Sequence, residues 1–196
     1  MTKLIQIEGA RNVGKTYLID KLAKSMQTYK FPFAKYFNEC YTIDADDEKK
    51  QSMNSDRELY FLTLGYDITI LDMFKNGLIG QDMIADRGIL SNIIFGIQSG
   101  RISEADGQRA WKWLCEEYGD IFEIVYIYTE PKEDKRNKDM WDIYDRDATM
   151  KLYDSFIESS RTHIYTIENK FDMRSVDRFN HLIDIILYEP EDIPGR

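Results

Sequence analysis

Short apolar runs alternate along the chain with segments in which apolar residues recur every three or four positions. The short runs have the length and the β-branched or aromatic content of strands, and they cover residues 4–8, 33–38, 82–85, 121–129 and 165–168. The periodic segments have the spacing of amphipathic helices, and they cover residues 14–26, 56–77, 91–98, 103–118, 149–160 and 175–187. Ser103 is the expected N-cap of the fourth helix, and Gly65 is expected to interrupt the second.

Strands that alternate with helices predict a parallel sheet covered by helices on both faces. We therefore expect a three-layer α/β fold with a five-stranded parallel sheet. No internal repeat or Gly/Ser-rich linker divides the chain, so residues 1–196 are expected to form one domain. In this architecture ligands bind beyond the carboxyl ends of the strands, and the residues that follow the strands are the candidates for chemistry.

Composition narrows the class of protein. No apolar run approaches the ~20 residues that cross a bilayer, and the N-terminal apolar stretch is too short for a signal peptide. The two cysteines, Cys40 and Cys115, lack the spacing of a metal or redox site, which favours a reducing, cytoplasmic compartment. A net charge of −9 argues against a surface that tracks nucleic-acid phosphates, but it allows a small basic site for one phosphate group.

Residues 9–16 match the pattern G-x-x-x-x-G-K-[ST] and lie between an apolar strand and an amphipathic helix. Glycines in such a loop let backbone N–H groups turn inward around a phosphate, and the following helix directs its partial positive end at the anion. Lys15 then reaches the β- and γ-phosphates of ATP, and the Thr16 hydroxyl ligates Mg²⁺. The expected phosphate-binding residues are Gly9, Ala10, Arg11, Asn12, Val13, Gly14, Lys15 and Thr16.

A second candidate site lies at the end of the third strand, where an apolar run leads into Asp86 and Arg87. A carboxylate in this position can hold Mg²⁺, directly or through water, and an arginine beside it can bind a phosphate or stabilise developing charge. The alternative is that Asp86 caps the following helix and that Arg87 is a solvated surface residue. The phosphate loop favours the first interpretation.

Residues 130–147 follow the fourth strand and contain several basic residues, including Lys132, Lys135 and Arg136 at helical spacing. We interpret this segment as a short lid that brings a cation over the transferred phosphoryl group, with Arg136 as its best candidate. The segment also contains seven acidic residues. An ordinary salt-bridged surface helix is therefore the alternative.

Two blocks of the sequence resemble the thymidylate kinase and deoxynucleoside kinase group of P-loop kinases. Residues 4–9, followed by Gly14-Lys15-Thr16, are similar to the strand, Glu-Gly and phosphate loop of that group, and residues 77–87 with Ser91 are similar to its Asp/Glu-Arg-…-Ser signature. The lid position, the following helix with Tyr153, and the last strand and helix also fall in the order of the group. The resemblance implies the P-loop NTPase fold and a kinase activity that uses ATP and Mg²⁺.

The resemblance also implies roles for single residues. Asp86 would organise Mg²⁺, Arg87 would contact the 5′-oxygen or phosphate of the acceptor, and Glu39 would accept the proton of a 5′-hydroxyl. A surface carboxylate at the end of a strand is the alternative for Glu39. The expected catalytic residues are thus Lys15, Asp86, Arg87, Glu39 and Arg136, and the expected metal ligands are Thr16 and Asp86. Relatives of this kind are often dimers, so a homodimer is an expectation too.

The predicted function is transfer of the γ-phosphoryl group of ATP to a small-molecule acceptor, a (deoxy)nucleoside or a (deoxy)nucleoside monophosphate. The sequence departs from the group near the acceptor, with Arg11 in the loop, Leu64-Gly65-Tyr66-Asp67 in the long helix, and Cys40 after Glu39. Two alternatives therefore stay open, a kinase of polynucleotide 5′-ends and an NTP-driven switch without an acceptor. The acidic net charge argues against the first of these.

Overall fold

The computed structural model describes residues 2–10, 13–25, 29–31, 57–128, 146–160 and 162–168. Five strands form its sheet: β1 (Leu4–Glu8), β2 (Tyr29–Phe31), β3 (Met83–Asp86), β4 (Phe122–Tyr128) and β5 (His163–Glu168). They lie in the order β2-β3-β1-β4-β5, and every neighbouring pair is parallel. The predicted five-stranded parallel sheet is therefore confirmed, with β1 at its centre.

Five helices are described: α1 (Lys15–Ser25), α2 (Arg57–Lys75), α3 (Ile89–Gln98), α4 (Glu104–Tyr118) and α5 (Arg146–Glu158). Because side chains alternate along a strand, Ile5 and Ile7 of β1 face one layer and Leu4 faces the other. Helix α1 packs against the Ile5 and Ile7 face, and helices α2 to α5 share a core with Leu4 on the opposite face. The chain thus forms the predicted three layers.

Parallel pairing brings the chemically interesting strand ends to one edge of the sheet. In the register of β1 and β3, Ile7 lies opposite Asp86, and in the register of β1 and β4, Glu8 lies opposite Tyr126. The phosphate loop after β1 and the Asp86-Arg87 pair at the end of β3 are therefore neighbours, although they are far apart in sequence.

Most element boundaries agree with the prediction, and the differences have local causes. Helix α2 continues through Gly65 without a break, because one exposed glycine costs a helix only about 1 kcal/mol. Ser103 is the N-cap of α4, and its hydroxyl oxygen accepts a hydrogen bond from the N–H of Asp106 at 3.1 Å. Strand β2 lies before Pro32, whereas the strand predicted at residues 33–38 falls outside the described residues.

Two further predictions also fall outside that part of the chain. These are the last helix, at residues 175–187, and the lid at residues 130–147 apart from its final two residues. Within the described residues, no helix has the length and hydropathy of a membrane span.

Candidate active site

The phosphate loop leaves β1 through a glycine that no other residue replaces without strain. Gly9 has a φ of +135°, and a Cβ atom built on it would lie 2.2 Å from the carbonyl oxygen of Ile127 in β4. Gly14 has a φ of +97°, also outside the region that residues with a side chain ordinarily adopt. Both glycines of the sequence pattern are therefore required by the backbone, which turns sharply between the central strand and α1.

Lys15 is the first residue of α1, and its side chain folds back along the loop. The ammonium group donates hydrogen bonds to the carbonyl oxygens of Gly9, at 3.1 Å, and Ala10, at 2.6 Å. The residue is only 7% exposed. A positive charge is thus held against the loop backbone at the amino-terminal end of a helix, where anions bind favourably.

Thr16 and Asp86 meet beside the loop. The Thr16 hydroxyl oxygen lies 3.4 Å from Oδ2 of Asp86; Thr16 is exposed and Asp86 is half-buried. One hydroxyl and one carboxylate are hard oxygen ligands, and Mg²⁺ in nucleotide enzymes is held by one or two such groups together with phosphate oxygens and water. Among the described residues no group of three or more His, Cys, Asp or Glu side chains gathers at a common point.

Arg87 turns toward the phosphate loop. Its φ of +72° is in the left-handed region, and its N–H donates to the carbonyl oxygen of Ile7 at 3.0 Å. The guanidinium donates from one nitrogen to Gly9 O at 3.0 Å and to the Ser91 hydroxyl at 3.2 Å, and it lies 5.0 Å from the centre of the Phe95 ring. The alternative interpretation of Arg87 as a solvated surface residue therefore does not hold.

The start of α3 also shows that Asp86 is not the N-cap of this helix. The N-cap of α3 is Gly88, and no side chain of its own makes the capping hydrogen bond. Two side chains of β1 take that part instead. The Gln6 side-chain oxygen accepts from the N–H of Ile89 at 3.2 Å, and Glu8 Oε1 accepts from the N–H of Ser91 at 3.3 Å.

Gln6 and Glu8 belong to the block at residues 4–9 that resembles the kinase group, but the sequence pattern assigns neither of them a role of its own. Both are almost fully buried, at 1% and 0% exposure, in a strand that otherwise contains only apolar residues. Their spacing of two residues places them on one face of β1, which is the signal that would have identified them. The side chain of Gln6 also fills the space beside Gly88, where an added Cβ would lie 2.1 Å from its Oε1 atom.

A second buried carboxyl group lies in α2. Asp67 is 3% exposed, and its Oδ2 accepts a hydrogen bond from the side-chain amide of Asn92 at 2.9 Å. Burial raises the pKa of Asp67 to about 8, and the negative charge of Glu8 adds to the effect, whereas the hydrogen bond from Asn92 opposes it. Burial thus favours the protonated, neutral form of this carboxyl group.

The structure brings together four of the residues that the sequence singled out, namely Lys15, Thr16, Asp86 and Arg87. Of the other loop residues, Ala10 and Val13 are buried. The remaining predicted site residues lie outside the described ranges: Arg11, Asn12, Glu39 and Arg136.

Comparison with solved structures gives the class of this fold. NadR, solved in complex with NR, matches with a TM-score of 0.59 at 16% identity over 100% of this chain and 53% of its own. Deoxyadenosine kinase from M. mycoides matches with a TM-score of 0.53 at 17% identity over 94% of this chain and 98% of its own. Thymidylate kinase from Candida albicans matches with a TM-score of 0.52 at 17% identity over 94% of this chain and 91% of its own.

These likenesses show that the chain has the fold of P-loop nucleoside and nucleotide kinases. The resemblance seen in the sequence is thereby confirmed, since a deoxyadenosine kinase and a thymidylate kinase are both among the structural neighbours. The chain spans about half the length of NadR. No family model matches the sequence, and no curated protein matches it.

Proposed function

We propose that the chain is a phosphotransferase that moves the γ-phosphoryl group of ATP, in the presence of Mg²⁺, to a (deoxy)nucleoside or a (deoxy)nucleoside monophosphate. The observation that carries the proposal is the meeting of Lys15, Thr16, Asp86 and Arg87 around one phosphate-binding loop. Kinases of nucleosides and nucleotides among the structural neighbours support the same class of reaction.

Binding of ATP rests on the loop and on Lys15. The ammonium group already lies against the carbonyl oxygens of Gly9 and Ala10, so a rotation of a flexible side chain carries it from them to the β- and γ-phosphates. The amino-terminal end of α1 adds its partial positive charge. Although the net charge of the chain is −9, the side chains of Lys15 and Arg87 bring positive charge to this loop, which favours binding of an anion there.

Thr16 and Asp86 are the residues that would hold Mg²⁺. A bound Mg²⁺ would neutralise charge on the phosphate oxygens.

In the proposed reaction an oxygen of the acceptor forms a bond to the γ-phosphorus as the bond to the β,γ-bridging oxygen breaks, and ADP leaves. Arg87 would stabilise the charge of the transferred group, and the position of its guanidinium against the loop at Gly9 supports this role. A hydroxyl acceptor must also lose a proton, for which Glu39 is the predicted base, whereas a monophosphate acceptor already presents an anionic oxygen. The predicted contribution of Arg136 is a further cation at the same group.

The test is an assay of phosphoryl transfer from radiolabelled ATP to a panel of nucleosides, nucleoside monophosphates and 5′-hydroxyl oligonucleotides. We expect labelled product with a nucleoside or a nucleoside monophosphate. Lys15→Ala should lower the rate about 100-fold or more, because a preorganised charge at the transferred group is lost. The matched control is Lys24→Ala, which removes an exposed lysine from the last turn of the same helix and should leave the rate unchanged.

The other outcomes separate the alternatives. Product with oligonucleotides alone would make the chain a polynucleotide kinase, and release of free phosphate without any labelled acceptor would make it a switch. A Lys15→Ala variant that keeps nearly normal transfer would contradict the role given to the phosphate loop.

A further inference from the structure

A buried hydrogen-bond network lies directly behind Arg87. It consists of Glu8 from β1, Ser91 from α3 and Tyr153 from α5, and these residues are 0%, 2% and 0% exposed. The Ser91 hydroxyl donates to Glu8 Oε2, the Tyr153 hydroxyl lies 2.9 Å from the same oxygen, and the two hydroxyl oxygens lie 2.6 Å apart. Three separate elements therefore meet at one carboxylate.

The donors and acceptors of this network give it a direction. An arginine only donates hydrogen bonds, a carboxylate only accepts them, and a serine hydroxyl has a single proton to donate. Because Arg87 donates to Ser91 Oγ, the proton of Ser91 is directed to Glu8, and the chain of hydrogen bonds runs from Arg87 through Ser91 to Glu8. Each bond in such a chain polarises the next one.

Tyr153 is a further donor to Glu8. Burial, together with the negative charge of Glu8, raises the pKa of Tyr153 well above its ordinary value. The phenol therefore keeps its proton and remains a donor throughout the range of pH in which the chain is assayed.

Among the described residues, two hydrogen bonds and one ring contact orient the Arg87 side chain. One guanidinium nitrogen donates both to Gly9 O of the phosphate loop and to the Ser91 hydroxyl, and the guanidinium also lies over the face of the Phe95 ring. A long, flexible side chain that is to act on a phosphoryl group must be aimed before the reaction, because an error of about 1 Å lowers rates about 100-fold.

We propose that Glu8, Ser91 and Tyr153 are positioning residues, and that they act on phosphoryl transfer by fixing the orientation of the Arg87 guanidinium beside the phosphate loop. This inference rests on the proposed function, since it assumes that Arg87 stabilises the transferred group. In this proposal the three residues act through Arg87 and not by binding a substrate. Its loss should lower kcat and leave the KM for ATP nearly unchanged, because contacts to the transferred group matter most in the transition state.

The test is a double-mutant cycle in kcat with Ser91→Ala, Arg87→Ala and the double variant. We expect a loss of about 10-fold for Ser91→Ala and about 100-fold for Arg87→Ala, in keeping with a lost hydrogen bond to a charged group and a lost transition-state cation. The double variant should be no slower than Arg87→Ala, because Ser91 has nothing left to position. A double variant that loses about 1000-fold, the product of the two effects, would overturn the inference.

Tyr153→Phe provides a second, independent variant that keeps the buried ring. It should lower kcat several-fold in the wild-type background and have no effect when Arg87 is already alanine. The matched control is Tyr126→Phe, whose ring stacks on Tyr153 with centroids 5.2 Å apart but whose hydroxyl is hydrogen-bonded to Asp154 at 3.2 Å. Equal losses in Tyr153→Phe and Tyr126→Phe would point to a general effect of removing a hydrogen-bonded hydroxyl and would contradict the positioning role.

Failure of the inference is distinguishable from failure of the proposed function. A wild-type chain that phosphorylates no acceptor contradicts the proposed function, and the same cycle is then read in the rate of ATP hydrolysis, where water is the acceptor and the same two outcomes apply. A wild-type chain without transfer and without hydrolysis contradicts both.

Discussion

Replacement of Gly9 by alanine should destabilise the chain in two independent ways, through an unfavourable backbone conformation and through a steric clash of the added methyl group. Gly9 has a φ of +135°, a conformation that L-residues rarely adopt. The added Cβ would also lie 2.2 Å from the carbonyl oxygen of Ile127 and 3.3 Å from a methyl carbon of Val13. The oxygen belongs to β4, a strand paired on both sides, so it cannot move without disturbing the sheet.

The magnitude follows from these two contributions. A residue held in such a conformation costs of order 1–3 kcal/mol. A buried overlap of this kind costs about 1–3 kcal/mol more. For a chain of this size each kcal/mol lowers Tm by about 2–4 °C. Gly9→Ala should therefore lower Tm by roughly 5 °C or more, and it should abolish binding of MgATP by displacing the loop backbone.

The assay is thermal unfolding followed by circular dichroism, with calorimetric titration of MgATP at a temperature where the variant is folded. Gly77→Ala is the matched control, because Gly77 has a φ of +69° but an added Cβ would meet nothing within 4 Å. It carries the conformational cost alone, about 1–2 kcal/mol, and should bind MgATP like the wild type. Equal destabilisation by the two substitutions, or normal binding of MgATP by Gly9→Ala, would refute the reasoning.

Two further predictions concern stability. The pKa of Asp67 is about 8 in the folded chain against 3.8 in the unfolded chain, so between pH 4 and 8 the folded chain binds one more proton than the unfolded chain. The stabilisation that this proton gives is fully present below pH 4. It is lost, by several kcal/mol, as the pH rises through 8. Asp67→Asn should flatten the dependence of the urea midpoint on pH over this window, and an unchanged slope would contradict the assigned protonation. Ser103→Ala removes the N-cap of α4 and should lower the free energy of unfolding by about 1 kcal/mol without changing the affinity for MgATP; an unchanged Tm or weakened MgATP binding would show the assignment to be wrong.

Local sequence signals predicted the part of the site that depends on backbone geometry. The G-x-x-x-x-G-K-[ST] pattern predicts backbone conformations that need glycine at positions 9 and 14, and both residues have a positive φ. Asp86 and Arg87 were recognised because they end a buried strand. Parallel pairing in a sheet then brings the ends of β1 and β3 together, so the contact of Asp86 with Thr16 follows from the same reasoning.

The buried polar contacts could not be predicted in the same way. Glu8 is 83 residues from Ser91 and 145 from Tyr153, so no local pattern links them. Helix α3 begins at Ile89, two residues earlier than predicted, because its first N–H groups are satisfied by Gln6 and Glu8 of another element. Sequence propensities identify caps only within the helical segment and its flanking residues. They do not identify a cap formed by side chains of a distant strand.

The claim on which the rest depends is that residues 9–16 bind the phosphates of ATP. Isothermal titration of the wild-type chain with MgATP measures this directly, and Lys15→Ala provides the comparison. We expect one saturable site per wild-type chain and a greatly weakened one in the variant. A titration of the folded wild-type chain without saturable heat at several temperatures, or equal affinity in the two proteins, would contradict the claim.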